Sequence, residues 1–284
     1  IFIFDKVMYE RLYKRSPETV FYLPLATEPV RDFDNWLSDT ERKKYSHDVA
    51  FIGSMYNEKK RQYHQLDELP EYEKGFIQGL ARAQMNVYGY NLIYDSLSED
   101  MTRRIKKQLD YASIDDYEID DREIIADHYI GVYASSIERI RTLQAITDVH
   151  KLSIYTDSDI SMLKNVEACG VADSITMTPK IFHCSKININ ITIKTIQSGI
   201  PLRVFDVLGA GGFLITNYQP EIPEYFVPGE DLVMYESIED LQDKILYYLE
   251  HDEERENIAA HGYQTIVDNY TYDKLLAIMF DGLK

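Results

Sequence analysis

The chain has 284 residues, enough for one large domain or two modest ones. Its 45% hydrophobic and 27% charged residues are those of a globular protein and exclude a disordered, collagenous or disulfide-stapled chain. Thirty Lys and Arg against 48 Asp and Glu leave a net charge of −18, which argues against a protein that wraps nucleic acid or an anionic membrane. Any bound phosphate must therefore be met by a few local cations.

Cys169 and Cys184 are too few and too far apart for a disulfide framework or a zinc cluster, so a reducing compartment is expected. No run approaches the roughly 18 apolar residues of a membrane span, and the first residues lack a secretory-signal layout. A cytoplasmic protein with no membrane span is expected. Ile1-Phe2-Ile3-Phe4-Asp5 reads as a buried strand with no initiator Met, so the chain is taken as cut from something longer.

Tyr9 to Lys14 reads as a short helix and Val20 to Leu25 as a second strand, followed by a polar link from Glu28 to His47. Asp48-Val49-Ala50-Phe51-Ile52-Gly53-Ser54, an apolar run ending in a Gly-Ser turn, has the pattern of a parallel strand. From about residue 58 to 149 the strand signal vanishes, and segments such as Ile124 to Ile146 carry helical periodicity, which marks a helical insertion. Within it the acidic stretch Asp115 to Asp121 lacks the glycine of a calcium loop and reads as solvated.

Strand and helix then alternate. Strands are expected at Leu152 to Tyr155, Ile187 to Ile193, Phe213 to Thr216 and Leu232 to Tyr235, and helices at Pro201 to Leu208, Ile238 to Glu250 and after Thr271. Ser237 opens the second of these helices with a capping pattern. The alternation predicts an α/β fold with a parallel sheet covered on both faces.

The most informative stretch runs from Ser198-Gly199-Ile200-Pro201-Leu202-Arg203-Val204-Phe205-Asp206 to Gly209-Ala210-Gly211-Gly212-Phe213. Pro201 marks a helix start, and the free N–H groups there, with Arg203, form a place where a phosphate is stabilised. A packing helix with a glycine turn is the other reading. This stretch, the Lys186-Ile187-Asn188-Ile189-Asn190 strand, Glu221-Ile222-Pro223-Glu224, Asp231-Leu232-Val233 and His251 to Arg255 resemble, in this order, the C-terminal donor-binding domain of GT-B glycosyltransferases. The CgeB-type (spore-maturation-like) family is the most similar.

The resemblance implies a Rossmann-like donor-binding domain over residues 48–284, interrupted by the insertion at about 58–149, with residues 1–47 as the remnant of a missing N-terminal domain plus linker. It implies transfer of a sugar from a nucleoside diphosphate donor to an unknown acceptor hydroxyl. In related retaining enzymes an E-x7-E motif holds the donor; Asp206 falls on the second Glu, at the ribose, and Ser198 on the first, at the sugar. The Gly-Arg-x4-Lys pattern that grips the donor diphosphate becomes Gly53-Ser54 followed by Lys59, with the Arg lost and Arg61 or Arg203 in its place. Lys59-Lys60-Arg61 also reads as a solvated helix start. His183 is a candidate for lining the donor pocket or for a structural role.

Asp157-Ser158-Asp159 follows a strand, as in metal-holding Asp-x-Asp motifs, but Thr156 or Asp157 capping a following helix accounts for it, and no metal or other cofactor is predicted. Catalysis would rest on electrostatic stabilisation of the leaving diphosphate by Lys59, an Arg and the helix at Pro201. Without a facing domain the chain is expected to bind donor but not turn it over, and to self-associate through the exposed Ile1 to Phe4 strand. Two other readings stay open: a nucleotide-sugar-binding module without catalysis, and a structural or assembly protein.

Overall fold

A computed structural model of the chain describes residues 1–111 and 120–282. Most of the acidic stretch Asp115 to Asp121 lies outside the described residues. The elements run in chain order as β1 (Phe2–Ile3), α1 (Lys6–Tyr13), β2 (Phe21–Tyr22), α2 (Phe33–Trp36), α3 (Asp39–Tyr45) and β3 (Val49–Ile52). A helical layer follows: a 3-10 segment Gln62–Glu68, α4 (Glu71–Gln84), α5 (Leu92–Ser96), α6 (Glu99–Lys106), α7 (Asp121–Ile124), a π-helical segment Ile125–Gly131 and α8 (Val132–Val149). Then come β4 (Leu152–Tyr155), β5 (Val166–Ala168), α9 (Thr178–Cys184), β6 (Ile187–Asn190), α10 (Leu202–Gly209), β7 (Leu214–Asn217), α11 (Ile222–Tyr225) and β8 (Val233–Tyr235). The chain closes with α12 (Ile238–Glu250), α13 (Asp252–Asn269) and α14 (Tyr272–Gly282).

Six strands form one sheet in the order β5-β4-β3-β6-β7-β8, every pair parallel. Counted along the sheet's own sequence this is 3-2-1-4-5-6, the doubly wound order whose direction reverses between β3 and β6. The central strands are apolar because both faces are covered. On one face α8 and α12 bring Leu143, Ile146, Leu241 and Ile245 against Phe51, Ile154, Ile189 and Ile215. On the other, Val204, Phe205 and Leu208 of α10 and Ile266 of α13 pack with Leu214. The buried asparagines of β6 use their amino groups to tie the strand to its surroundings: Asn188 donates to the Phe182 and Phe213 carbonyls, and Asn190 to the Thr192 and Thr216 hydroxyls, while the Asn188 Oδ1 has no partner among the described residues.

The helical layer has its own core, in which Ile77, Leu80, Ile93, Ile105 and Tyr129 are buried together. β1 and β2 pair in a separate two-stranded parallel sheet, and Leu23 and Ala26 just beyond it pack against Leu275 of α14. Among the described residues no helix is long and apolar enough to cross a membrane.

Four expectations need correction. The polar link from Glu28 to His47 carries α2 and α3, the latter opened by a full capping box between Ser38 and Glu41. β5 and α9 were not foreseen. The helix expected from Ile124 is π-helical up to Gly131. No helix follows Thr156 for it to cap; its hydroxyl accepts the Ser158 N–H within a turn.

Candidate active site

The C-terminal ends of β3, β4 and β5 and the first turn of α10 enclose a cleft of about 400 Å³. Gly53 and Ser54 line it from β3, Tyr155, Thr156 and Asp157 from β4, Val171, Ala172 and Ser174 from the loop after β5, and Leu202, Arg203 and Asp206 from α10. This is the crevice outside the carboxyl ends of the strands, at the point where strand order reverses, that doubly wound sheets offer to ligands. Four residues named from the sequence, Gly53, Ser54, Arg203 and Asp206, meet here.

Arg203 lies over the Phe182 ring, 5.0 Å from its centroid, and makes no ion pair among the described residues. Burial pulls its guanidinium below the ordinary value, so an incoming anion would relieve the cation's desolvation. No side chain caps α10, which leaves its first N–H groups to a ligand. Asp206, one turn on, accepts a hydrogen bond from the Thr27 hydroxyl at 3.0 Å, and burial raises its pKa. Asp157 is exposed, and no side chain or backbone group pairs with its carboxylate among the described residues.

The loop after β3 is tied down by side-chain bonds. Glu58 accepts the hydroxyls of Ser54 at 2.5 Å and Ser158 at 2.6 Å and pairs with Arg61. Burial pushes the Glu58 carboxyl up, but these partners outweigh it and hold it at about 2. Tyr56 adopts a left-handed backbone, φ 58°, rare for a side chain of this size. Its ring lies between two guanidinium groups, 5.0 Å from Arg61 and 4.4 Å from Arg139.

Sequence reasoning missed Arg139. It sits on α8, 85 residues beyond Ser54, and donates to the carbonyls of Ser54 at 2.5 Å and Ile191 at 2.6 Å. It thus ties the ends of β3 and β6 at the switch point and adds positive charge there, without a carboxylate partner among the described residues. Only its place in three dimensions distinguishes it from a surface helix arginine.

The remaining candidates lie outside the cleft lining. Lys59 is exposed, and Arg61 bonds Ser54 and Glu58. Asp159 folds onto the Ser161 N–H, so it does not share a site with Asp157. His183 stacks on Phe33 at 4.1 Å, and its Nδ1 lies 3.0 Å from the Ala210 carbonyl; burial lowers its pKa. The Ser198 hydroxyl donates to Glu221 at 2.5 Å in a buried cluster with Asp5. The Asp5 carboxylate accepts the N–H groups of Met8, Gln197, Ser198 and Gly199 at 2.7–3.1 Å, a concave run of amides filled by a carboxylate.

The ends of β6 and β7 are closed by the segment after α4, and a space of about 170 Å³ lies beside the end of β8. Gly89, at φ +71°, donates to the Gln197 carbonyl at 3.0 Å, and a Cβ there would meet Pro220 at 2.8 Å. Lys194 Nζ lies 2.9 Å from Glu138 and 3.8 Å from the Tyr88 ring centroid. Burial drives the lysine down and the glutamate up. A polar space of about 10 Å³ remains, room for no more than a single water.

Residues 157–281 match the family model described as glycosyl transferase-like. No curated protein sequence matches the chain. Among solved structures, a TarM variant from Staphylococcus aureus, in complex with fondaparinux, α-GlcNAc-glycerol and UDP, aligns over 99% of this chain and 43% of its own, at 10% identity and a TM-score of 0.51. HepE from Anabaena, in complex with UDP and glucose, aligns over 99% of this chain and 62% of its own, at 8% identity and a TM-score of 0.50. The chain thus spans less than two thirds of either neighbour, and identities this low speak to fold alone. The six-stranded parallel sheet with its flanking helices has the fold of GT-B glycosyltransferases, and residues 157–281 are similar to the glycosyl transferase-like family.

Proposed function

We propose that the cleft binds a nucleoside diphosphate sugar and that the chain is the donor-binding part of a GT-B glycosyltransferase of CgeB type, passing the sugar to an acceptor hydroxyl. The observation that carries this reading is Arg203: a half-buried cation that makes no ion pair among the described residues, its nearest carboxylate, Asp206, being held by Thr27, and that opens into a 400 Å³ cleft in a chain of net charge −18. The diphosphate would lie against Arg203, the amides at the start of α10 and the Gly53-Ser54 turn, with Arg139 adding charge behind it. Asp206 is placed one turn along α10 to accept a ribose hydroxyl. As the glycosidic bond breaks, the leaving diphosphate gains charge that these fixed cations and dipoles already face, a metal-independent way to lower the barrier.

The acceptor would come from a facing domain beyond this chain, and UDP, bound in both structural neighbours, is one donor nucleotide to test. Calorimetric titration with UDP-glucose, UDP-GlcNAc and GDP-mannose tests the reading. At least one should bind, and Arg203→Ala should weaken it by about ten-fold or more. Absence of binding by all three and by their free diphosphates would defeat it.

A binding module without turnover is favoured by one feature. Ser198, at the position of the family's sugar-facing glutamate, is buried against Glu221 and Asp5 rather than open to the cleft. Donor binding with neither transfer nor donor hydrolysis, in a chain supplied with its facing domain, would decide for that module.

A further inference from the structure

We propose that the cleft selects guanine as the base of its nucleoside diphosphate, and that Asp157 is the residue that reads it. The inference rests on the nucleotide reading of the cleft and adds which nucleotide. Charge sets the orientation. Arg203 and the uncapped start of α10 stand at one end with the turn Gly53-Ser54, and Arg139 lies behind that turn. Asp157, at the end of β4, is the lining carboxylate without a partner among the described residues; the other, Asp206, is engaged by Thr27.

A diphosphate beside Asp157 would set like charges together, whereas at Arg203 it meets a cation that makes no ion pair among the described residues. Strands of a sheet are about 4.8 Å apart, so from the end of β3 to that of β5 the cleft extends about 10 Å. A nucleoside diphosphate with its phosphates at β3 therefore carries its base into the region bounded by Asp157, Val171, Ala172 and Ser174. Val171 and Ala172 offer apolar surface to a base face, and Val171 is 67% exposed, which stacking would reduce.

The chemistry of a carboxylate then chooses the base. Ionised Asp has only acceptors, two oxygens able to take a pair of parallel hydrogen bonds. Guanine alone among the common bases presents two adjacent donors, N1–H and the N2 amino group, on its pairing edge. Uracil places N3–H between two carbonyl oxygens that repel the second carboxylate oxygen. Adenine and cytosine set one amino donor beside a ring-nitrogen acceptor. Neither apolar walls nor Ser174, a donor and acceptor in one hydroxyl, distinguish the four in this way.

The test is calorimetric titration of the chain with GDP, IDP, UDP, ADP and CDP, repeated on Asp157→Ala, Asp157→Asn and Arg203→Ala. Asp157 is exposed and unpartnered, so its variants should unfold at the wild-type temperature. GDP should bind at least about ten-fold more tightly than UDP, with IDP, which lacks the N2 amino group, between them. Asp157→Ala should lower GDP affinity at least about ten-fold and leave UDP within about two-fold; Arg203→Ala should weaken all five. UDP binding as tightly as GDP, or an Asp157→Ala variant with unchanged base preference, overturns the guanine assignment while an Arg203-dependent affinity leaves the cleft as a nucleotide site. Loss of binding for every diphosphate overturns both.

Discussion

The two halves of the sheet are built on the same plan, three parallel strands with helices on both faces, yet they meet solvent differently at their carboxyl ends. Beyond β3, β4 and β5 the loops part around a cleft of about 400 Å³. Beyond β6 and β7 the segment after α4 lies across the strand ends and leaves about 10 Å³, with a further space of about 170 Å³ beside the end of β8. Strand order creates a crevice in principle; what covers it decides whether a ligand can enter. Here the helical layer between β3 and β4 covers most of one half, while its last helix, α8, sends Arg139 to the border of the other.

The largest effect should come from breaking the closed half. Lys194→Ala leaves Glu138 buried without its cation and should cost about 3–5 kcal/mol in urea unfolding. If the closed half is purely structural, affinity for a diphosphate in the open half stays within about two-fold in the folded variant; a large loss there would mean the halves are coupled. In the open half, Arg203→Ala should cost about 1.5–3 kcal/mol of nucleoside diphosphate binding by calorimetry. Because Arg203 is desolvated and lacks an ion pair, the same change should leave unfolding free energy unchanged or slightly higher.

Gly89→Ala, which forces a side chain into the left-handed region against Pro220, should destabilise by about 1–2 kcal/mol and act on the closed half alone. Glu58 sharpens the comparison by pH. Its folded pKa of about 2 lies below the ordinary 4.5, so its stabilising contribution is complete above about pH 4.5 and fades as the pH falls through 2. Thermal unfolding of Glu58→Gln should therefore converge on the wild type at pH 2 and fall below it at pH 6. The smallest effect belongs to Lys59→Ala, an exposed lysine outside the cleft lining, which should change nucleotide affinity by less than about two-fold in the same titration.

Local patterns revealed what local forces decide. Leu152–Tyr155 and Ile238–Glu250 were legible to the residue, the first as a short β-prone segment between polar flanks, the second as a capped amphipathic helix. The α/β class and the helix that bears Arg203 and Asp206 were legible for the same reason. Val166–Ala168 was not: a three-residue edge strand, half-exposed, carries neither alternation nor an apolar run. Arg139 was hidden because its role depends on packing α8 against β3 and β6, across more than 50 residues in either direction. His183 and Ser198 show the converse, polar residues near the motif whose partners, Phe33 and Glu221, turn them into packing and hydrogen-bonding groups away from the cleft.

Asp5 gives the molecule a mechanical property. Its carboxylate grips three consecutive peptide groups, Gln197 to Gly199, immediately before the helix that bears Arg203 and Asp206, and it also caps α1. The small sheet of β1 and β2 is thereby clamped to the loop that feeds the cleft, together with bonds from the Lys6 and Val7 amides and the Tyr22 hydroxyl to Glu221 and Ser198. The N-terminal segment thus acts as a buttress: the peptide groups that lead into the helix bearing Arg203 are fixed from outside the large sheet, and Thr27, from the same segment, holds Asp206.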